Sequence, residues 1–201
     1  MMMRNALLIM VLSVSVGASA APAAVTPGEQ APDFTLTDTE GVAHALATYL
    51  ELGRTVVLEW FNADCPFIRK HHLAHKTMNE TFAAADSNVV WLCVCSSAPG
   101  KQGAGLERNR EARIEYGMPY PILMDPAGEV GRLYGAKTTP HMFVIDGAGT
   151  VVYTGAIDDD RSPAKLGGTN HVAAALQALA AGEEAPVAET RPYGCSVKYV
   201  D

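Results

Sequence analysis

The sequence predicts an α/β fold: a mixed central sheet flanked by helices, with an N-terminal β-hairpin and a C-terminal tail. Three observations predict it. Two β-branched apolar runs, 54–61 (RTVVLEWF) and 88–96 (NVVWLCVCS), read as strands buried on both faces. A stretch without breakers, 66–84, lies between them and carries Phe67, His71, Ala74, Met78 and Phe82 at near-helical spacing. Further on, 141–146 and 150–156 flank Gly147-Ala148-Gly149 as a second hairpin.

The remaining elements fill in the order. Segments 33–37 and 42–45 flank the turn Asp38-Thr39-Glu40-Gly41 and make the first hairpin. A brief helix follows over 46–52. Pro66 suits the first turn of the long helix, because its missing N–H would be unpaired there anyway. The Gly-rich segment Lys101-Gln102-Gly103-Ala104-Gly105 lacks a phosphate-loop pattern and reads as a flexible loop. A charged helix over 106–116 stops at Gly117, a short strand occupies 120–124, and a short helix over 130–134 closes at Gly135. After the second hairpin comes a polar loop, 158–170, then a helix over 171–181 ending at Gly182. Asp158-Asp159-Asp160-Arg161 in that loop reads as a solvated turn. Trp60 and Trp91 belong to the core.

The chain has 201 residues, enough for one domain with a substantial core and no need of disulfide staples. With 15 Lys and Arg against 22 Asp and Glu it is acidic, and its basic residues form no long run, so a nucleic-acid partner is not expected. Residues 1–20 carry Arg4, an apolar run from Ala6 to Val16, and small residues ending Ala18-Ser19-Ala20. That is the pattern of a signal peptide cleaved near Ala20. The run is shorter than the ~20 residues a spanning helix needs, so no stable membrane anchor is expected after cleavage. The expected organisation is therefore 1–20 signal peptide, 21–30 lead-in, 31–182 domain and 183–201 tail, in a periplasmic or secreted protein.

Export places four cysteines, Cys65, Cys93, Cys95 and Cys195, in an oxidising compartment. No CxxC pair exists, which removes zinc-ribbon spacing and a local dithiol motif. Three complete pairings remain open. Cys93 with Cys95 is disfavoured, since two strand residues on one face stand about 6.5 Å apart at Cα. Both read as small apolar side chains of a strand.

Four stretches resemble the redoxin family, also called the alkyl hydroperoxide reductase/thiol-specific antioxidant family. They are Ala31-Pro-Asp-Phe-Thr-Leu36 with Gly41; Trp60-Phe-Asn-Ala-Asp-Cys-Pro-Phe67; Gly135-Ala-Lys-Thr-Thr-Pro-His-Met-Phe-Val-Ile-Asp146; and Tyr153-Thr-Gly-Ala-Ile-Asp-Asp159, with a closing Gly194-Cys-Ser-Val-Lys198. The closing stretch is similar to that of a peroxiredoxin-like branch of exported redoxins. The resemblance implies a thioredoxin-like fold and a thiol-dependent antioxidant oxidoreductase. It implies Cys65 as redox nucleophile and Thr139-Pro140 as a cis-proline loop facing it. Two departures stand out. Cys65-Pro66-Phe67-Ile68 lacks the second cysteine of a thioredoxin. Leu58 and Asn62 replace the proline and threonine of the peroxiredoxin pattern PxxxTxxC. Asn62 is a candidate to hydrogen-bond substrate in place of that threonine.

The residues fit this chemistry. A cysteine at a helix start faces unpaired N–H groups, which favour the thiolate that attacks peroxide or disulfide. Arg69, Lys70 and His71 would add to this, and Asp64 would oppose it. The polar lead-in Asn62-Ala63-Asp64 predicts an exposed strand end at Cys65. Cys195, flanked by Gly194 and Ser196 in a tail free to reach back, is the candidate resolving thiol; the alternative is that it only anchors the tail or stays free. His141 beside Pro140 is a candidate proton donor. His71 and His75 share a helical face, which with Cys65 would allow a metal site, but packed or solvated histidines are the favoured reading and no metal is assigned. No cofactor is implied, because the thiol carries the electrons. The leading function is peroxide reduction with an external, thioredoxin-like or tail thiol as reductant. The alternatives are thiol–disulfide exchange on protein or small-molecule disulfides, and a non-enzymatic metal- or partner-binding module.

Overall fold

The computed structural model describes residues 24–200. The signal-type segment, its cleavage site and the start of the lead-in lie outside the described residues. Among the described residues no helix is long and apolar enough to cross a membrane.

Strands β1 (Thr35–Asp38) and β2 (Ala43–Ala45) form the first hairpin. Its turn is fixed by Asp38, whose Oδ1 accepts from the backbone N–H groups of Glu40 and Val42 at 2.8 and 2.9 Å. Helix α1 (Leu46–Glu51) leads into β3 (Thr55–Trp60). The central strand β4 (Val89–Cys95) pairs with β3 in parallel, and β5 (Ile122–Met124) pairs with β4 in parallel. Between β4 and β5 runs α4 (Leu106–Glu115), and after β5 comes α5 (Glu129–Leu133). Strands β7 (Met142–Ile145) and β8 (Val151–Gly155) form the second hairpin against β3, and α6 (His171–Ala181) follows. The seven-stranded order is β2-β1-β5-β4-β3-β7-β8, mixed as expected.

The period-2 rule explains the two cores. Val56, Leu58 and Trp60 of β3, with Leu92 and Val94 of β4, face one side, where Leu46 and Val130 cover them. Val57, Trp91, Cys93 and Cys95 face the other, under Met78, Ala112, Val172 and Ala175. Glu59 shares that second face and is fully buried. Its carboxylate accepts from His72 Nε2 at 2.7 Å, Trp91 Nε1 at 3.0 Å and Cys93 Sγ at 3.3 Å. Three donors offset the cost of burying that group.

Three local expectations need correction. The single helix over 66–84 is broken: α2 (Pro66–Arg69) passes into a π-helical turn (Lys70–Ala74), and α3 (Thr77–Ala84) starts afresh. The turn is wide because the His75 N–H reaches back five residues to the Lys70 carbonyl, at 3.0 Å. Lys76 then takes a left-handed φ of 53°, which separates the turn from α3. Second, the tail does not hang free. Thr154 exchanges backbone hydrogen bonds with Ala188 and Thr190 at 3.0 Å each. Beyond them β9 (Cys195–Ser196) pairs antiparallel with β6 (Thr138–Thr139), in the register Thr139↔Cys195. Third, Asp158 is not solvated but 3 % exposed, ion-paired with a fully buried Lys70.

Candidate active site

Cys65 lies at the end of the sheet where β3 gives way to α2. It is the N-cap of α2, with Pro66 at the first helical position. Four contacts hold the approach to it. Asn62 Oδ1 accepts from the Asp64 N–H at 2.9 Å, and Asn62 Nδ2 donates to the Gln102 carbonyl at 3.0 Å. Tyr116 OH donates to the Ala63 carbonyl. Arg108 donates to Asp64 Oδ1 from Nε at 3.0 Å and from Nη2 at 2.8 Å. The Asp64 charge beside the cysteine is thus matched by a guanidinium. Asn62 is spent on this scaffold, and its amide partners do not include Cys65. Gly103 packs directly on the Asn62 amide at φ +73°, a place with no room for a side chain.

The expectation of an exposed cysteine is overturned: Cys65 is 0 % exposed. Its thiol donates to the Thr139 carbonyl at 3.0 Å. The Thr139–Pro140 peptide is cis, as the resemblance implied. The second cover is the tail. Cys195 stands opposite Thr139 on β9, which sets its thiol beside that of Cys65. Burial pushes the Cys195 thiol up to about 12, and the Cys65 contact adds to the shift. Both thiols are free. Cys195 keeps part of its surface open, so an external reagent meets it before Cys65.

Three residues set the tail in place: the sequence reading passed over Tyr193, and it named Lys70 and Gly194 without this role. Tyr193 is 4 % exposed. Its hydroxyl meets His71 Nε2 at 2.9 Å and accepts from Lys70 Nζ at 3.2 Å, and it donates to Asp158 Oδ1. Lys70 Nζ also pairs with Asp158 Oδ2 at 3.4 Å, donates to the Asp160 carbonyl at 2.7 Å, and lies 5.1 Å above the Tyr193 ring. Gly194, at φ +138°, lies so close to the cis-proline loop that a Cβ would stand 2.7 Å from the Thr139 carbonyl carbon. The available signal was the pattern Tyr193-Gly194-Cys195 itself: a large aromatic and a glycine beside a tail cysteine.

The other candidates fall away from the thiols. His141 packs 4.6 Å from the Phe143 ring. Its Nδ1 accepts from the Lys137 N–H at 3.3 Å, so Nε2 carries the proton and donates to Thr154 Oγ1 at 3.2 Å. Burial lowers its pKa to about 3, so it is neutral and has no proton to give near pH 7. His71, His72 and His75 diverge to Tyr193, Glu59 and the Ala164 carbonyl. Cys93 and Cys95 are fully buried, with burial raising both thiols, and stand on one face as inert packing.

Comparison with known proteins gives the same setting. A family model described as Redoxin matches residues 26–170. A Mycobacterium tuberculosis protein provisionally named a peroxiredoxin is 31% identical over 137 residues, covering 68% of this chain and 80% of that one. The thiol-disulfide oxidoreductase ResA of Geobacillus thermodenitrificans is 30% identical over 128 residues, covering 64% and 68%. A hypothetical protein from Sinorhizobium meliloti superposes with a TM-score of 0.75 at 25% identity, over 89% of this chain and 97% of that one. Relatives named for peroxide and for disulfide chemistry both match, and the chain belongs to the Redoxin family as a thioredoxin-like, thiol-dependent oxidoreductase.

Proposed function

We propose that this chain is an exported two-cysteine thiol peroxidase, with Cys65 as nucleophile and Cys195 as resolving thiol. The observation that carries the reading is the pairing of Cys195 with Thr139, the residue whose carbonyl accepts from the Cys65 thiol at 3.0 Å, which sets the two sulfurs side by side. The Cys65 thiolate attacks one peroxide oxygen, leaving Cys65 as a sulfenic acid and releasing water or an alcohol. The Cys195 thiol then attacks the Cys65 sulfur. Its proton leaves with the sulfenic hydroxyl as water, and the Cys65–Cys195 disulfide forms. An external thiol, such as that of a thioredoxin-like protein, attacks the more open Cys195 sulfur and frees Cys65 as the leaving thiolate. A second thiol completes the reduction.

A small oxidant suits a nucleophile with no exposed surface better than a bulky one does. Thr139 presents its carbonyl to Cys65 and Pro140 turns the loop there; Asn62, Asp64 and Pro66 shape the approach. Export is supported by the signal-type segment ending at Ala20, and residues 31–182 with the tail 183–201 make the working unit after cleavage. The test is peroxide consumption under excess dithiothreitol, followed for the mature chain and for Cys65→Ser. Turnover that is lost in Cys65→Ser is expected. Equal consumption by both proteins would refute the proposal.

A further inference from the structure

We infer that the tail strand around Cys195 is a built-in occupant of the edge a peptide disulfide would need, so that it restricts Cys65 to small reagents. The inference rests on the reading of Cys65 as nucleophile.

Strand β6 is two residues long, and it presents its backbone next to the Cys65 sulfur. A peptide recognised by strand addition would pair with that edge and place its own sulfur opposite Thr139. The edge is already taken: Thr138 pairs with Ser196 and Thr139 with Cys195, and Val197 N–H donates to the Lys137 carbonyl at 3.2 Å. The position for an incoming sulfur is the position of Cys195.

The occupant is clamped on both sides. Before Cys195, the Tyr193 hydroxyl is held by His71, Lys70 and Asp158, and Phe67 meets its ring edge-on at 5.7 Å. Gly194 permits the close approach to Thr139. After Cys195, Ala98 N–H donates to the Lys198 carbonyl at 2.8 Å, and Tyr199 OH donates to the Ala136 carbonyl at 2.9 Å. A peroxide needs only a small opening beside this strand. A peptide needs the strand to leave. Exchange with a peptide disulfide requires the Cys65 thiolate to attack one of its sulfurs, forming a mixed disulfide and releasing the other sulfur as a thiolate. That geometry is closed while β9 is paired.

The test uses the full mature chain carrying Cys195→Ser, which keeps the strand and removes the second sulfur. Two probes release the same thiopyridone: 2,2′-dithiodipyridine, and a short peptide whose cysteine carries a thiopyridyl group. Each rate is normalised to that of free cysteine. We expect the peptide to react at least about tenfold more slowly than the small probe. Adding Gly194→Ala, which drives the strand off Thr139, should raise the peptide rate toward the small-probe rate. Tyr193→Phe in the same background loosens the clamp with a milder change and should move the ratio in the same direction; thermal unfolding confirms that both variants are folded. Equal normalised rates in Cys195→Ser would overturn the gate and leave Cys65 standing as nucleophile. A ratio that neither folded variant moves would also overturn it. Failure of Cys65 to react with either probe in any variant would overturn the gate together with the nucleophile reading.

Discussion

At the scale of single residues, the account depends on two sulfurs and one carbonyl. Cys65 was legible from its place before Pro66 at a helix start. Its burial was not, because the cover comes from Thr139 and Cys195, which are 74 and 130 positions away. The same distance hid the partnership of Lys70 and Tyr193: in the sequence Lys70 reads as a cation near the thiol, and only the fold brings Asp158 and Tyr193 to it. Two predictions belong here. Cys195 alkylation by iodoacetamide should climb steadily from pH 7 to pH 10, because a thiol pushed up to about 12 gains thiolate tenfold per pH unit over that range. A rate that levels off near pH 9 would mean an ordinary thiol, outside the contact with Cys65. In Cys195→Ser, the sulfenic acid left on Cys65 by peroxide has no internal partner. Dimedone labelling of Cys65 should then persist for minutes, whereas it should be weak in the unaltered chain. Strong labelling in both would remove Cys195 from the cycle.

At the scale of elements, the long strands and helices follow from apolar periodicity, and the short irregular ones do not. β6 and β9 are two residues each, too short to carry any period. The π-helical turn is set by tertiary partners: Lys70 points into the protein toward Asp158, and His72 reaches Glu59. The apolar pattern of 66–84 is compatible with an uninterrupted helix, so nothing local announces the break. The Lys70–Asp158 pair is the hinge between α2, the 158–170 loop and the tail. Lys70→Ala should therefore destabilise the protein by roughly 3 kcal/mol, because it strands a buried carboxylate. Urea unfolding measures this. A cost under about 0.5 kcal/mol, the range of an exposed ion pair, would show that the pair does not anchor the turn.

At the scale of the whole molecule, strand–helix alternation followed by a hairpin was enough to predict the mixed sheet and its flanking helices, and the order of the seven strands agrees with it. The docking of the tail was invisible, since it is held by scattered side chains, Thr190, Tyr193 and Tyr199, and by a few backbone hydrogen bonds, none of which forms a periodic pattern. Two buried histidines also give the molecule a global pH dependence. His71 falls to about 4 and His141 to about 3, both chiefly through burial, against an ordinary 6.5. Below pH 6.5 the unfolded chain binds protons that the folded chain refuses, so stability is full above that pH and falls as the pH drops toward 4. Between pH 7.5 and pH 5.5 the loss should be about 3 kcal/mol for the two together, read as a lower urea midpoint. An unchanged midpoint would contradict it. The central claim is that Cys65 and Cys195 form one redox pair, and mapping the cysteines tests it most directly. The reduced mature chain is given one equivalent of hydrogen peroxide, quenched in acid within seconds, digested and weighed. The account predicts a Cys65–Cys195 disulfide with Cys93 and Cys95 still as thiols. An unmodified Cys65, or a sulfenic acid on Cys65 beside a free Cys195, would contradict it.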